Sequence, residues 1–542
     1  MQGLSASFVA TNSSIIRESL PRHASTLTLL KRILLMTVKL SLAQTAQFSF
    51  GVSLIAVVGR IGVRELGATS LANGLINATV FAFGAGFSGA LETKLSHTYS
   101  RNPKDKMYGV YTLRMFVMLL ILFLLLSPTI LFVDRLLVAI GQDQEVIDFV
   151  GEFCRLSIWG SFFAMLLELL RRYFACQYLD TSFSVALVVG AVIYPFLLIG
   201  MVQLMGFSGA ALGWSIFVIA LCIGLVLYLV VTKKYAENWN GIEDAMYRNW
   251  KPLLTLSMAS MAMMLSEWVA LEINNICSGF GTKEELAAFG ITYQVSGVCW
   301  SIASGSYIAS SVMVGSAVGE RRPVLARKMA YLGLGTSLAI SLTNVLILFL
   351  TRNYFPYIFT NDEKVVEIVI SLQKYLFVYH VFDVLQSCMM GVLRGCGMQK
   401  QGAIIIFLVY SVIGVPLGLL LFFLTNFGIG ALWLGPAVGV TAFGFPVYLY
   451  MMLRYIKWDR LEPSTETYDA MMEEDSGMSK GSNEGRISHE PLAFGAPRGG
   501  SFAAGAAGGL KCEPLCGAGS QLMAEEAGKE DSASNPKANK TE

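Results

Sequence analysis

Three carboxylates lie in stretches otherwise apolar enough to cross a membrane. Glu267 and Glu272 occur in the run Met264-Leu-Ser-Glu267-Trp268-Val-Ala-Leu-Glu272-Ile-Asn274-Asn275, and Asp383 in a later apolar segment that ends Gly391-Val-Leu-Arg394-Gly395-Cys396-Gly397-Met398-Gln399. An ionised carboxylate in hydrocarbon costs several kcal/mol, so acids at such positions mark ion or substrate pathways. A carboxyl removed from water also holds its proton more firmly, which lets it load and release a proton near neutral pH. The chemistry expected of the three is exchange of a proton or sodium ion for a cationic substrate. The alternative is a structural hydrogen-bond cluster between helices.

At about 100° per residue, Glu267 and Glu272 point about 140° apart with about 7.5 Å of rise between them. Glu267 shares a stripe with Ser260 and Asn274; Glu272 goes with Asn275. One acid is therefore expected to line a cavity while the other faces a neighbouring helix. His380, Asp383 and Ser387 follow i, i+3, i+7 spacing and share a face, with Gln386 beside Asp383. Tyr293, Gln294 and Trp300 in the intervening apolar segment complete the candidate cavity. Aromatic rings there would attract an organic cation. In the first half, Gln44 and Gln47 are the candidates to meet a ligand. Glu152 and Arg155 are expected to pair with each other, and Lys39 and Arg114 to snorkel toward water. His97 reads as a loop residue without a role.

The elements that must hold these residues are helices in lipid. Of 542 residues, 54% are hydrophobic and 14% charged, against about 25% charged in soluble domains. Mean hydropathy is +0.57. Apolar runs long enough to cross about 30 Å of hydrocarbon fall at 36–58, 68–91, 107–132, 148–172, 181–204, 208–231, 252–278, 287–314, 328–351, 367–393, 402–424 and 430–453. The alternate set of loops holds only Arg60, Arg64, Arg135, Lys283, Arg352 and Lys364, while the other set, with the termini, is far richer in Lys and Arg. The excess of positive charge places both termini in the cytoplasm.

The two halves repeat. Arg172 and Gln177 match Arg394 and Gln399, Pro195 matches Pro416, Pro103 matches Pro323, and Phe207-Ser-Gly-Ala-Ala-Leu212 resembles Phe427-Gly-Ile-Gly-Ala-Leu432, all at nearly one offset. The expected fold class is an all-α integral membrane protein of twelve transmembrane helices in two parallel-repeat six-helix lobes. The expected order is a cytoplasmic segment 1–35, a first lobe 36–232, a linker 233–251, a second lobe 252–460 and a disordered cytoplasmic tail 461–542 rich in Gly, Ala, Ser and Glu.

A net charge of +2 gives no global field for nucleic acid. Seven of the nine cysteines fall in or beside apolar segments and read as packing residues; Cys512 and Cys516 lie in the tail as unmodified thiols. No phosphate-binding Gly-x4-Gly-Lys-Ser/Thr run and no metal-hydrolase pattern occurs, so neither an ATP-driven pump nor an enzyme is expected, nor any cofactor or metal. A sugar porter of the major-facilitator type would carry an Asp-Arg-x-Gly motif, which 92–106 lacks. A lipid or lipid-linked sugar flippase would favour a cationic cavity, and a receptor or scaffold would need neither midplane acids nor duplication.

The motifs resemble the multidrug and toxic compound extrusion (MATE) family, in its eukaryotic branch. The resemblance rests on Phe382-Asp383-Val-Leu-Gln386 through Gln399 to Pro416-Leu-Gly418, on Glu267-Trp268-x3-Glu272, on Gly89-Ala90-Leu91-Glu92-Thr93, on Arg172-Tyr173-Phe-Ala-Cys-Gln177 and on Ala309-Ser-Ser-Val-Met-Val-Gly315. It covers residues 36–460. It implies a V-shaped, monomeric antiporter of plasma or vacuolar/organelle membranes that exports organic cations or other xenobiotics against H+ or Na+. The cation-coupling roles it implies fall on Glu267, Glu272 and Asp383. The chain departs from the family at Leu95-Ser96-His97-Thr98, where Gly-Gln-Ala is usual. It departs again in the first span, where Gln44 and Gln47 stand in place of the family's proline and of the acid that bacterial members use in that lobe.

Overall fold

Runs of apolar residues in lipid must satisfy every backbone group internally, and they do so as helices. The computed structural model describes residues 25–140, 144–239, 241–242 and 244–463, and among these there is no β-strand. The helices long and apolar enough to span are α1 (Thr26–Val58), α2 (Arg64–Arg101), α3 (Met107–Leu131), α5 (Asp180–Met205), α6 (Phe207–Val231), α7 (Trp250–Phe280), α8 (Lys283–Gly319), α9 (Pro323–Thr351), α10 (Glu363–Gly395), α11 (Gln399–Leu424) and α12 (Ala431–Tyr455). A pair bent by 54°, Gln144–Leu156 and Ile158–Cys176, is α4; counted as one span it makes twelve. Side-chain caps fix several starts: Ser25 accepts from the Thr28 amide, Thr282 and Glu285 form a capping box, and Asp362 accepts from Lys364 and Val365.

Several helices outrun the hydropathy limits. α1 begins ten residues earlier than the expected 36, and α2 continues to Arg101 rather than stopping at 91. Hydropathy registers lipid contact, whereas the extension of α2 is buried in protein: every residue from Gly84 to Thr98 is buried. Most of the expected tail, with Cys512 and Cys516, and most of segment 1–35 lie outside the described residues.

Helix packing obeys the repeat. In the first half α1 packs on α5, α2 on α4 and α3, α3 on α4, α4 on α6, and α5 on α6; adding six to each label gives the neighbours found in the second half. Between halves, α1 packs on α8 and α2 on α7, which exchange under the same operation, and α2 packs on α8. The α5–α6 and α11–α12 junctions both turn at a glycine with positive φ, Gly206 (62°) and Gly428 (74°), a conformation that costs other residues energy.

Both halves hold π-helical turns, Asn77–Phe81 of α2 in the first and more in the second. Residues Leu408–Gly414 of α11 and Gly439–Gly444 of α12 are π-helical. Each stretch precedes a proline, Pro416 or Pro446. A proline ring clashes with the carbonyl four residues back, and the widened turn absorbs that clash.

The two halves are closed together at the ends next to the basic loops. Thr93 Oγ1 donates to the Arg394 carbonyl and Gln399 Nε2 to Thr93 Oγ1, both at 2.6 Å. His97 Nε2 donates to the Gly395 carbonyl at 2.8 Å, and the Tyr178 hydroxyl donates to Ser316 at 2.8 Å. His97 is therefore not a loop residue; it is a buried helical side chain that ties α2 to the end of α10.

Candidate coupling site in the second half

Glu267 on α7 and Asp383 on α10 are both buried, and each lies within electrostatic range of the other. The Tyr410 hydroxyl donates to Asp383 Oδ1 at 2.8 Å, and the Tyr379 hydroxyl lies 3.0 Å from that of Tyr410. With the Tyr410 hydrogen committed to the carboxylate, Tyr379 is the donor in the second bond. Tyr379 stands one turn before Asp383 on α10; Tyr410 comes from the π-helical stretch of α11. Gln386, one turn beyond Asp383, is buried with neither amide atom bonded to the protein. Arg394 also lies within electrostatic range of Glu267. A buried carboxylate pair with a hydroxyl donating to Asp383 is an arrangement that can take up a cation.

The stripe reading holds for Glu267, since Ser260, Glu267 and Asn274 are all buried. Glu272 does not join the pair. It is exposed, and it accepts from the Tyr293 hydroxyl at 3.1 Å and from Asn275 Nδ2 at 3.3 Å. Five residues of helix rotate it away from Glu267. Gln294 is exposed too. His380 turns to α9, where its Nε2 meets Asn344 Nδ2 at 3.2 Å. Trp300 belongs to a run of rings that crosses between the halves: Phe81 to Trp268 at 6.1 Å, Trp268 to Trp300 at 6.2 Å, and Trp300 to Tyr307 at 6.4 Å.

The first half holds acids the sequence reading passed over. Glu168 on α4 is fully buried, paired with Arg172 at 2.8 Å and with Arg171. Gln47 Nε2 donates to it at 3.2 Å, and Gln44 accepts from Arg171. The two glutamines thus serve a buried ionic network. Glu92 on α2, also buried, lies 3.5 Å from Arg172 Nε and 3.6 Å from Arg394 Nη1. Arg171, Arg172 and Arg394 look like loop charges in the sequence but are buried in this network. The signal for Glu168 was present, because arginines at i+3 and i+4 are the spacing of helical ion pairs. Nothing in the sequence points to Tyr410.

Three smaller expectations are corrected. Glu152 accepts from Ser208 rather than Arg155, and Arg155 pairs with Asp134 at 3.3 Å, brought close by the helix Val133–Ile140. Arg114 does not snorkel; it is buried, and it donates to the carbonyls of Ala245 and Met246 in the segment joining the halves. Lys39 pairs with the buried Asp180 at 3.2 Å.

The sequence profile of the MatE family matches residues 40–199 and again 259–420, one copy in each half. The chain belongs to the MATE family. Curated relatives agree with this assignment: "Multidrug and toxin extrusion protein 2" of Pongo abelii is 30% identical over 73% of this chain and 71% of its own length. "Multidrug and toxin extrusion protein 1" of Rattus norvegicus is 31% identical over 75% and 72%. Among solved structures, the eukaryotic MATE transporter AtDTX14 superposes with a TM-score of 0.74 at 25% identity, covering 80% of this chain and 97% of that one. An outward-facing MATE transporter of the MOP superfamily superposes at 0.71 with 17% identity, covering 80% and 98%, a likeness of fold. The protein is thus a multi-pass MATE-family membrane transporter, and its described helices repeat in the way that two tandem family copies require.

Proposed function

We propose that the protein is a secondary active antiporter that exports organic cations and other xenobiotics in exchange for protons, with Na+ as the alternative coupling ion. The observation that carries this reading is the buried Glu267–Asp383 pair with its Tyr410 and Tyr379 hydroxyls. Full ionisation of two neighbouring buried carboxylates is costly, so the pair holds either a proton or an organic cation. Competition between the two for one site is the minimal requirement of an antiporter. The names of the curated relatives support a xenobiotic substrate.

In this reading the two lobes, 36–232 and 252–460, rock about the α1–α8 and α2–α7 contacts. Cargo binds from the cytoplasm, where the termini and basic loops lie; a proton entering from the far side displaces it. One pH unit supplies about 1.4 kcal/mol per proton, and 100 mV about 2.3 kcal/mol per charge, each enough for tenfold accumulation or more. Glu272, exposed and held by Tyr293, draws the cation at the mouth, and the Trp268–Trp300 rings line its route. The transporter works as a monomer in a plasma or vacuolar/organelle membrane.

The test is efflux of a fluorescent organic cation from proteoliposomes on an imposed pH step. Wild type exports; Glu267→Gln and Asp383→Asn do not. Normal export by both variants would sink the assignment, and export that follows a Na+ gradient at fixed pH would transfer the coupling to sodium.

A further inference from the structure

The repeat places two arginines, Arg172 at the end of α4 and Arg394 at the end of α10, at equivalent positions 222 residues apart. Both reach the same carboxylate. Glu92 Oε1 lies 3.5 Å from Arg172 Nε, and Glu92 Oε2 lies 3.6 Å from Arg394 Nη1. The acid itself is not repeated. At the offsets that align the halves, residue 92 falls on Val312, Met313 or Val314. One anion therefore receives a cation from each half, deep within the face where the halves are closed together. Neither Glu92 oxygen makes a hydrogen bond to the protein, so the two guanidinium groups are what hold its charge away from water. Gly89, one turn earlier on α2, lets α7 pack close beside the arm: a Cβ there would sit 3.3 Å from Ser260 Cβ on α7 and 3.4 Å from Arg394 Cζ.

The two arms are not alike. Arg172 is already anchored by Glu168 and by the Ala85 carbonyl, at 2.8 and 2.7 Å. Arg394 rests over the Tyr307 ring at 5.7 Å and lies within electrostatic range of Glu267. The charged and titratable groups within range of Arg394 are Glu92 from the first half, and Glu267, Tyr307 and Tyr448 from the second.

We propose that Glu92 is an inter-lobe latch that holds the basic-loop side closed by taking a guanidinium group from each half. The latch has a readout of its own, separate from transport.

That readout is a Ser96→Cys reporter. Ser96 is buried at the interface, against Gly315 of the other half, so its thiol reacts with a membrane-impermeant maleimide only when the basic side opens. In sealed vesicles with that side outward, labelling is followed by peptide mass spectrometry on the full chain. Glu92→Gln should raise the reporter's labelling rate at least tenfold, with Glu92→Asp intermediate. Unchanged labelling in Glu92→Gln overturns the latch. If Glu92→Gln does not fold, Glu92→Asp, which keeps the charge but draws it back from both guanidinium groups, must raise labelling for the latch to stand. Cation efflux measured in parallel separates the outcomes, because a failed latch with proton-driven export intact leaves the antiport reading standing.

Discussion

The two halves share one skeleton and use their buried acids in opposite ways. In the first half, Glu168 and Glu92 are surrounded by Arg171, Arg172 and Arg394. In the second, the Tyr410 hydroxyl donates to Asp383, and Glu267 lies within electrostatic range of both Asp383 and Arg394. An acid ringed by guanidinium groups ties helices together. An acid partnered by a hydroxyl and a second acid is poised to exchange a cation. In the antiport reading, the same repeat unit yields a scaffold and a site, according to which partners surround the carboxylate.

The contrast can be broken most sharply at Glu168. Glu168→Gln leaves two buried guanidinium groups short of an anion and should destabilise the fold by about 3–5 kcal/mol, read as a fall in thermal stability and folded yield in detergent. Glu267→Gln and Asp383→Asn should do the reverse, folding normally while initial rates of pH-driven efflux fall about a hundredfold, or about 2.7 kcal/mol. Equal stability losses at all three would erase the distinction between halves. Tyr410→Phe removes one hydroxyl, a change of about 1 kcal/mol, and should slow transport about fivefold with stability retained. Glu272→Gln, at an exposed acid, should raise the KM for the cation about twofold to threefold, in keeping with the small worth of solvated charges, and leave the maximal rate alone. A loss at Glu272 as large as at Asp383 would return it to the coupling pair.

Most of the fold was legible from residue order. Lipid demands long apolar helices, and Pro195 with Pro416 and Arg172 with Arg394 betray the duplication. The helical stripe of Ser260, Glu267 and Asn274 also followed from spacing. The partners did not. Arg394 and Lys94 count as loop cations in any hydropathy reading, yet both are buried, because α2 and α10 continue into protein where hydropathy sees only the end of lipid. Pro195 and Pro416 look equivalent, but α5 stays α-helical there while α11 widens into a π-turn that carries Tyr410.

By itself the sequence determined that this chain lives in a membrane, crosses it about twelve times in two related sets, and carries rare acids in the second. Periodicity and solvent dictate those things locally, residue by residue. Tertiary structure alone decided which acids share a site, that Glu272 stands apart, and that one unrepeated glutamate joins two repeated arginines. Those are distances between helices far apart in the chain, set by packing rather than by the order of neighbours along it.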